Sequence, residues 1–88
     1  MTRRIELLWD DWNEEHVAHH GVVPEEAMEV ARNAPQLTHV RDDLYRLVGQ
    51  TDGGRFLTVY IAPRGGGDFY VVIARPATSN ERRLYRRR

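Results

Sequence analysis

The spacing of apolar residues along this chain changes period three times, and each change predicts an element. Ile5, Leu7 and Trp9 alternate with Glu6 and Leu8, the period of two of a short strand. Asp10 or Asp11 then caps a helix, and Asp11 and Glu14 stand at the spacing of a capping box. That helix runs to about His20. Gly21 suits the left-handed position that closes a helix, and Val22 the apolar contact that follows. Pro24 opens a second helix, with Glu25 and Glu26 favourably placed on its dipole. Ala27, Val30, Ala31 and Ala34 recur at helical spacing with Met28 beside them, and Pro35 ends the run.

Beyond Pro35 the period returns to two. Leu44–Gln50 reads as a strand, preceded by a short pairing segment around Leu37–Arg41 across the Asp42-Asp43 turn. Two more strands, residues 55–62 and 69–75, follow the turns Asp52-Gly53-Gly54 and Gly65-Gly66-Gly67. In the first, Arg55, Leu57, Val59 and Ile61 share one face, and Phe56, Thr58, Tyr60 and Ala62 the other. In the second, Phe69, Val71, Ile73 and Arg75 alternate with Tyr70, Val72 and Ala74. Short Gly-rich links between alternating segments predict an antiparallel meander. Thr78 and Glu81 again stand at capping-box spacing and open an Arg-rich helix. The expected fold is α+β, with residues 1–88 as a single two-layer domain. An antiparallel sheet of four or five strands carries two helices on one face, with a short C-terminal helix to follow.

Charge adds what periodicity cannot. The net charge is zero, yet residues 1–50 carry five Arg against ten acids, and residues 51–88 carry eight Arg against three. Between Asp10 and Glu29 there are seven acids and no basic residue other than histidine. All thirteen Lys/Arg positions are Arg, the side chain suited to bidentate phosphate contacts and to stacking on bases. This polarity predicts a basic face for a polyanion and an acidic helical face elsewhere. The absence of cysteine excludes a disulfide scaffold, a Cys-based zinc site and thiol catalysis. Neither a membrane span nor a signal peptide is expected, and the expected location is the cytoplasm.

Two groups of residues are candidates for chemistry. On the first helix Trp12, His16, His19 and His20 lie along one stripe. His16 and His20 sit one turn apart, but a metal site needs a third ligand, and Glu15 points away by roughly 100°. No metal or cofactor is expected. His20, beside the glycine where the chain turns, is the stronger candidate for proton transfer, and His16 the second. In the second half Arg75 ends the last strand, with Arg82, Arg83 and Tyr85 one or two helical turns away, a set able to hold a phosphate.

Four ordered blocks then carry a resemblance: W-D-x-W-N-x-E-H-x-x-x-H-G-V at 9–22, G-Q-T-D-G-G-R-F-L-x-V at 49–59, A-R at 74–75 and E-R-R-L-Y at 81–85. Together they resemble the BrnT family of bacterial type II toxins across nearly the whole chain. The resemblance implies a RelE-like fold and a metal-independent ribonuclease that blocks translation. It also implies a BrnA-type antitoxin encoded nearby, with a toxin–antitoxin hetero-oligomer as the silenced form. The family's His-Gly-Val turn falls on His20-Gly21-Val22, its Gly-Arg on Gly54-Arg55, its Ala-Arg on Ala74-Arg75, and its Glu-Arg-x-x-Tyr on Glu81, Arg82 and Tyr85. The chain departs from the family in having no lysine on the first helix or before the His, where Asp, Asn, Glu and His19 stand instead.

Metal-free RNA cleavage needs a base, an acid, and cations for the charge growing on the phosphate. The expected catalytic set is His20, His16, Arg55 and Arg75, and the expected RNA contacts are Arg82, Tyr85, Arg46 and Tyr60. Two other readings stay open. One is a non-catalytic module whose basic face binds nucleic acid or an acidic protein segment. The other is a metal-binding protein built on the His pair.

Overall fold

The computed structural model describes residues 5–33 and 37–86. The chain runs β1 (Glu6–Leu8), α1 (Asp11–Ala18), α2 (Pro24–Asn33), β2 (Leu37–Arg41), β3 (Leu44–Gln50), β4 (Phe56–Gly65), β5 (Asp68–Pro76) and α3 (Ser79–Arg86). Ala34 and Pro35, expected to close the second helix, lie outside the described residues, as do Arg87 and Arg88.

The strands form a single sheet in the order β1-β5-β4-β3-β2. From β2 to β5 it is the antiparallel meander that the alternation predicts. At the far edge β1 joins β5 in parallel, with Leu7 opposite Phe69, so the expected wholly antiparallel sheet is corrected there. A parallel pair needs a long crossover rather than a hairpin, and everything from α1 to β4 supplies it.

The α2 side chains that face inward, Ala27 and Val30, meet Leu47, Leu57, Val59 and Ile61 on one face of the sheet, all at most 1 % exposed. Val17 of α1 and Val22 join them, together with Val71 and Ala74 of β5. Removing a Leu, Ile or Val side chain of this kind from water contributes about 1.5–3 kcal/mol, and the buried apolar core lies on this face. The other face is covered in part by α3 and carries the polar residues of alternate positions.

The polar signature at the start of α1 is structural. Asp10 is the N-cap and forms a reciprocal capping box with Asn13, rather than the expected Asp11–Glu14 pair. Asn13 is fully buried, and its amide also donates to the carbonyls of Leu8 and Val71 at 3.0 Å each, joining β1, α1 and β5. The carboxylate of Asp10 further accepts from the Tyr70 hydroxyl. α1 ends at Ala18 rather than near His20. Val22 N–H donates to the Val17 carbonyl across the turn, which Gly21 makes possible with φ +72°.

One local irregularity governs the rest. Tyr60 pairs with Ile73 but Ile61 pairs with Val71, so Val72 is an extra, unpaired residue in β5. This β-bulge resets the alternation. Phe69 and Val71 face the core together with Ala74, while Ile73 and Arg75 turn to the opposite face.

Candidate nucleic-acid interface

Register places Arg46 opposite Tyr60, Val48 opposite Thr58 and Gln50 opposite Phe56. It also places Thr58 opposite Arg75. These side chains alternate with the buried Leu47, Leu57 and Val59, so they belong to the face away from α1 and α2. α3 closes over this face from its own N-terminus. The expected capping box forms, with Thr78 N–H donating to the Glu81 carboxylate at 2.9 Å and Glu81 N–H to the Thr78 hydroxyl at 3.2 Å.

Glu81 is the hub. Its carboxylate also accepts from the Thr58 hydroxyl at 2.7 Å and from the Arg75 guanidinium at 3.0 and 2.9 Å. Burial alone would raise this carboxyl. The hydrogen bonds from Arg75, Thr78 and Thr58, with the charge of Arg75, outweigh that and hold it down at about 2. Arg75 is pushed up in turn, chiefly by its hydrogen bond to Glu81. The same guanidinium donates to the Tyr60 hydroxyl at 3.3 Å and lies 5.6 Å from that ring's centre. Arg75 therefore ties α3 to the sheet and positions Tyr60.

Around this hub lie rings and further arginines. Phe56 and Tyr85 meet edge to face with centroids 5.5 Å apart, and the Arg82 guanidinium sits 5.9 Å above Phe56. Arg46 is half-buried and Arg82 and Arg83 are exposed; none of the three forms an ion pair among the described residues. The face thus offers cations and aromatic surfaces side by side, the pairing that tracks a single-stranded polyanion and its bases.

Arg55 points the other way. Its guanidinium donates to the Gly21 carbonyl at 2.8 Å and to both oxygens of Glu26, at 2.9 and 3.1 Å. It locks the β3–β4 hairpin to the α1–α2 turn. Asp52 N–H donates to Glu29, and the Asp52 carboxylate accepts from Arg32 and Asn33. The Gly-Arg block and part of the acidic run thus hold each other. His20 is exposed and precedes Gly21, whose carbonyl Arg55 holds, and His16 meets His20 edge to face at 6.2 Å. His16 also stacks flat on Trp12, with rings 5.1 Å apart. Among the described residues no three His, Asp or Glu side chains gather as metal ligands.

The expected residues therefore fall into two groups. Arg75, Arg82, Tyr85, Arg46 and Tyr60 share the α3 face; His20, His16 and Arg55 belong to the helical layer. The two groups lie on opposite faces of the sheet. Sequence reasoning passed over Thr58, Phe56 and Glu81 as site residues. The capping-box spacing marks Glu81, but only the register reveals that it also reaches Thr58 and Arg75.

No family model and no curated protein sequence matches this chain. In structure it is similar to the ribonuclease toxin BrnT of Brucella abortus, with a TM-score of 0.70 at 20 % identity, covering 86 % of this chain and 100 % of that one. The two share a fold, the BrnT-like arrangement of sheet and helices. No helix among the described residues is long and apolar enough to cross a membrane.

Proposed function

We propose that this chain is a metal-independent endoribonuclease, the toxin of a type II toxin–antitoxin pair, and that RNA lies across the α3 face. The observation that carries the reading is that face itself: Arg46, Tyr60, Arg75, Phe56, Arg82 and Tyr85 brought together on a fold shared with a ribonuclease toxin. Arg46 and Arg82, without carboxylate partners among the described residues, bind phosphates. Phe56 and Tyr85 give bases a stacking surface. Arg75, whose charge is matched by Glu81, keeps Tyr60 and α3 in place, and the positive charge for the phosphate comes from Arg46 and Arg82.

Glu81 is a poor base, because a carboxylate held at about 2 and fully hydrogen-bonded gains little by taking a proton. Tyr60 is the hydroxyl best placed to move one, and electrostatic stabilisation by the arginines is the larger contribution. A second reading rests on the proximity of His20 to the Arg55-held Gly21. There the α1–α2 turn would carry proton transfer by His20, with His16 beside it, and Arg55 would have to leave Glu26 to reach a phosphate.

The test is expression of the chain in bacteria with and without its neighbouring gene. Growth arrest with fragmented RNA, relieved by the neighbour, is the expected result. Clean protein that binds RNA in a salt-dependent way but never cuts it would replace the toxin with a binding module.

A further inference from the structure

The outward arc of α1 is built unlike the rest of the surface. Asn13 and Val17 face the core, so Asp11, Trp12, Glu15 and His19 point outward, with Glu14 on one flank. Trp12 is 66 % exposed, its ring braced flat against His16 on the next turn. Asp11, Glu14 and Glu15 form no ion pair among the described residues, whereas Glu26 and Glu29 nearby in sequence are bound to Arg55 and to the backbone of Asp52. A large aromatic ring held rigid in solvent has little to do for folding. One ring face is covered by His16. The carboxylates of Asp11 and Glu15, unpaired among the described residues, flank Trp12, so the open side suits a cation.

We propose that this arc is the docking surface for a basic segment of the protein that silences the chain. An arginine or lysine of that segment lies over the Trp12 ring while its neighbours meet Asp11 and Glu15. The proposal rests on the toxin reading above and adds where, and by what chemistry, the partner attaches. Because α1 and α3 occupy opposite layers, this anchor leaves the arginine face uncovered. The partner must then be two-sided, with a basic anchor for α1 and a separate element that reaches the arginines.

The experiment measures affinity between the full chain and the protein encoded beside it, for wild type, Trp12→Ala, Glu15→Arg and Asp43→Arg. Asp43, in the exposed β2–β3 turn, controls for the general effect of charge reversal. Loss of a central aromatic anchor should weaken binding about 30-fold, and Glu15→Arg at least about tenfold. Asp43→Arg should change it less than about threefold, and RNA cleavage by free Trp12→Ala should match wild type. Wild-type affinity in both α1 variants overturns the docking surface while leaving the toxin reading intact. So does equal weakening by all three variants, or a loss of RNA affinity rather than partner affinity in Trp12→Ala. If the neighbouring protein does not bind wild type at all, the toxin–antitoxin reading falls and the docking surface falls with it.

Discussion

Arg75 grips both carboxylate oxygens of Glu81, at 3.0 and 2.9 Å, and so fastens the last helix to the last strand. Glu81 is nearly buried and Arg75 half-buried, with 10 % and 26 % of the two side chains exposed. It sets the position of Tyr60 on one side and, through the Thr58 hydroxyl, of β4 on the other. A pair this well hydrogen-bonded has consequences for stability that can be measured.

Glu81 is held at about 2, below the 4.5 ordinary for its type, so the folded state favours the ionised form. The resulting stabilisation is complete above pH 4.5 and is lost as pH falls through about 2. Its size is on the order of 3 kcal/mol. Urea denaturation from about pH 6 down to about pH 2 should show this decline. Glu81→Gln should be less stable at the upper end of that range and should flatten the acid limb; an unchanged limb would mean another carboxylate governs it.

Asn13→Ala should destabilise the domain by about 2–4 kcal/mol, because it strands the carbonyls of Leu8 and Val71 and removes the reciprocal cap with Asp10. Asn13→Asp, nearly the same shape, should be no better at neutral pH, since it sets an acceptor against two carbonyl acceptors. Chemical denaturation of both variants checks this, and wild-type stability in Asn13→Asp would contradict it.

The two groups of candidate residues can be separated by function. Arg46→Ala and Arg82→Ala should each lower the salt slope of single-stranded RNA binding by about 0.7, the share of one phosphate contact. Each should also reduce cleavage by at least about tenfold. His20→Ala should stay within about threefold of wild type. A loss of about a hundredfold or more in folded His20→Ala, the scale of general acid–base catalysis, would move the chemistry to the α1–α2 turn.

Deleting Val72 removes the bulge but keeps Ile61 opposite Val71, Tyr60 opposite Ile73 and Thr58 opposite Arg75. Arg75 should therefore stay bonded to Glu81, and the cost should be about 1 kcal/mol or less. Val72→Thr, at the same exposed position, should stay within about 0.5 kcal/mol. Thermal melts of the two variants check this, and a loss of several kcal/mol in the deletion alone would mean that the bulge itself is needed.

Much of this architecture was legible in the sequence, because local spacing is enough to specify it. Alternation at 44–50, 55–62 and 69–75, glycine turns between them, and the Thr78–Glu81 cap each act over a few residues, and β3, β4, β5 and α3 form there. The clustering of Arg46, Tyr60, Arg75, Arg82 and Tyr85 was not visible as such, since it depends on which strands pair. Tertiary structure also chose Asp10 over Asp11 as the cap, because Asp10 has Tyr70 as a further partner and Asn13 can reach Val71. The largest decision was the face taken by Arg75. Strict alternation puts it on the side of Phe69 and Val71, with Arg55. The single unpaired residue Val72, accommodated so that both Val71 and Ala74 reach the core, turns Arg75 to the far face and toward Glu81.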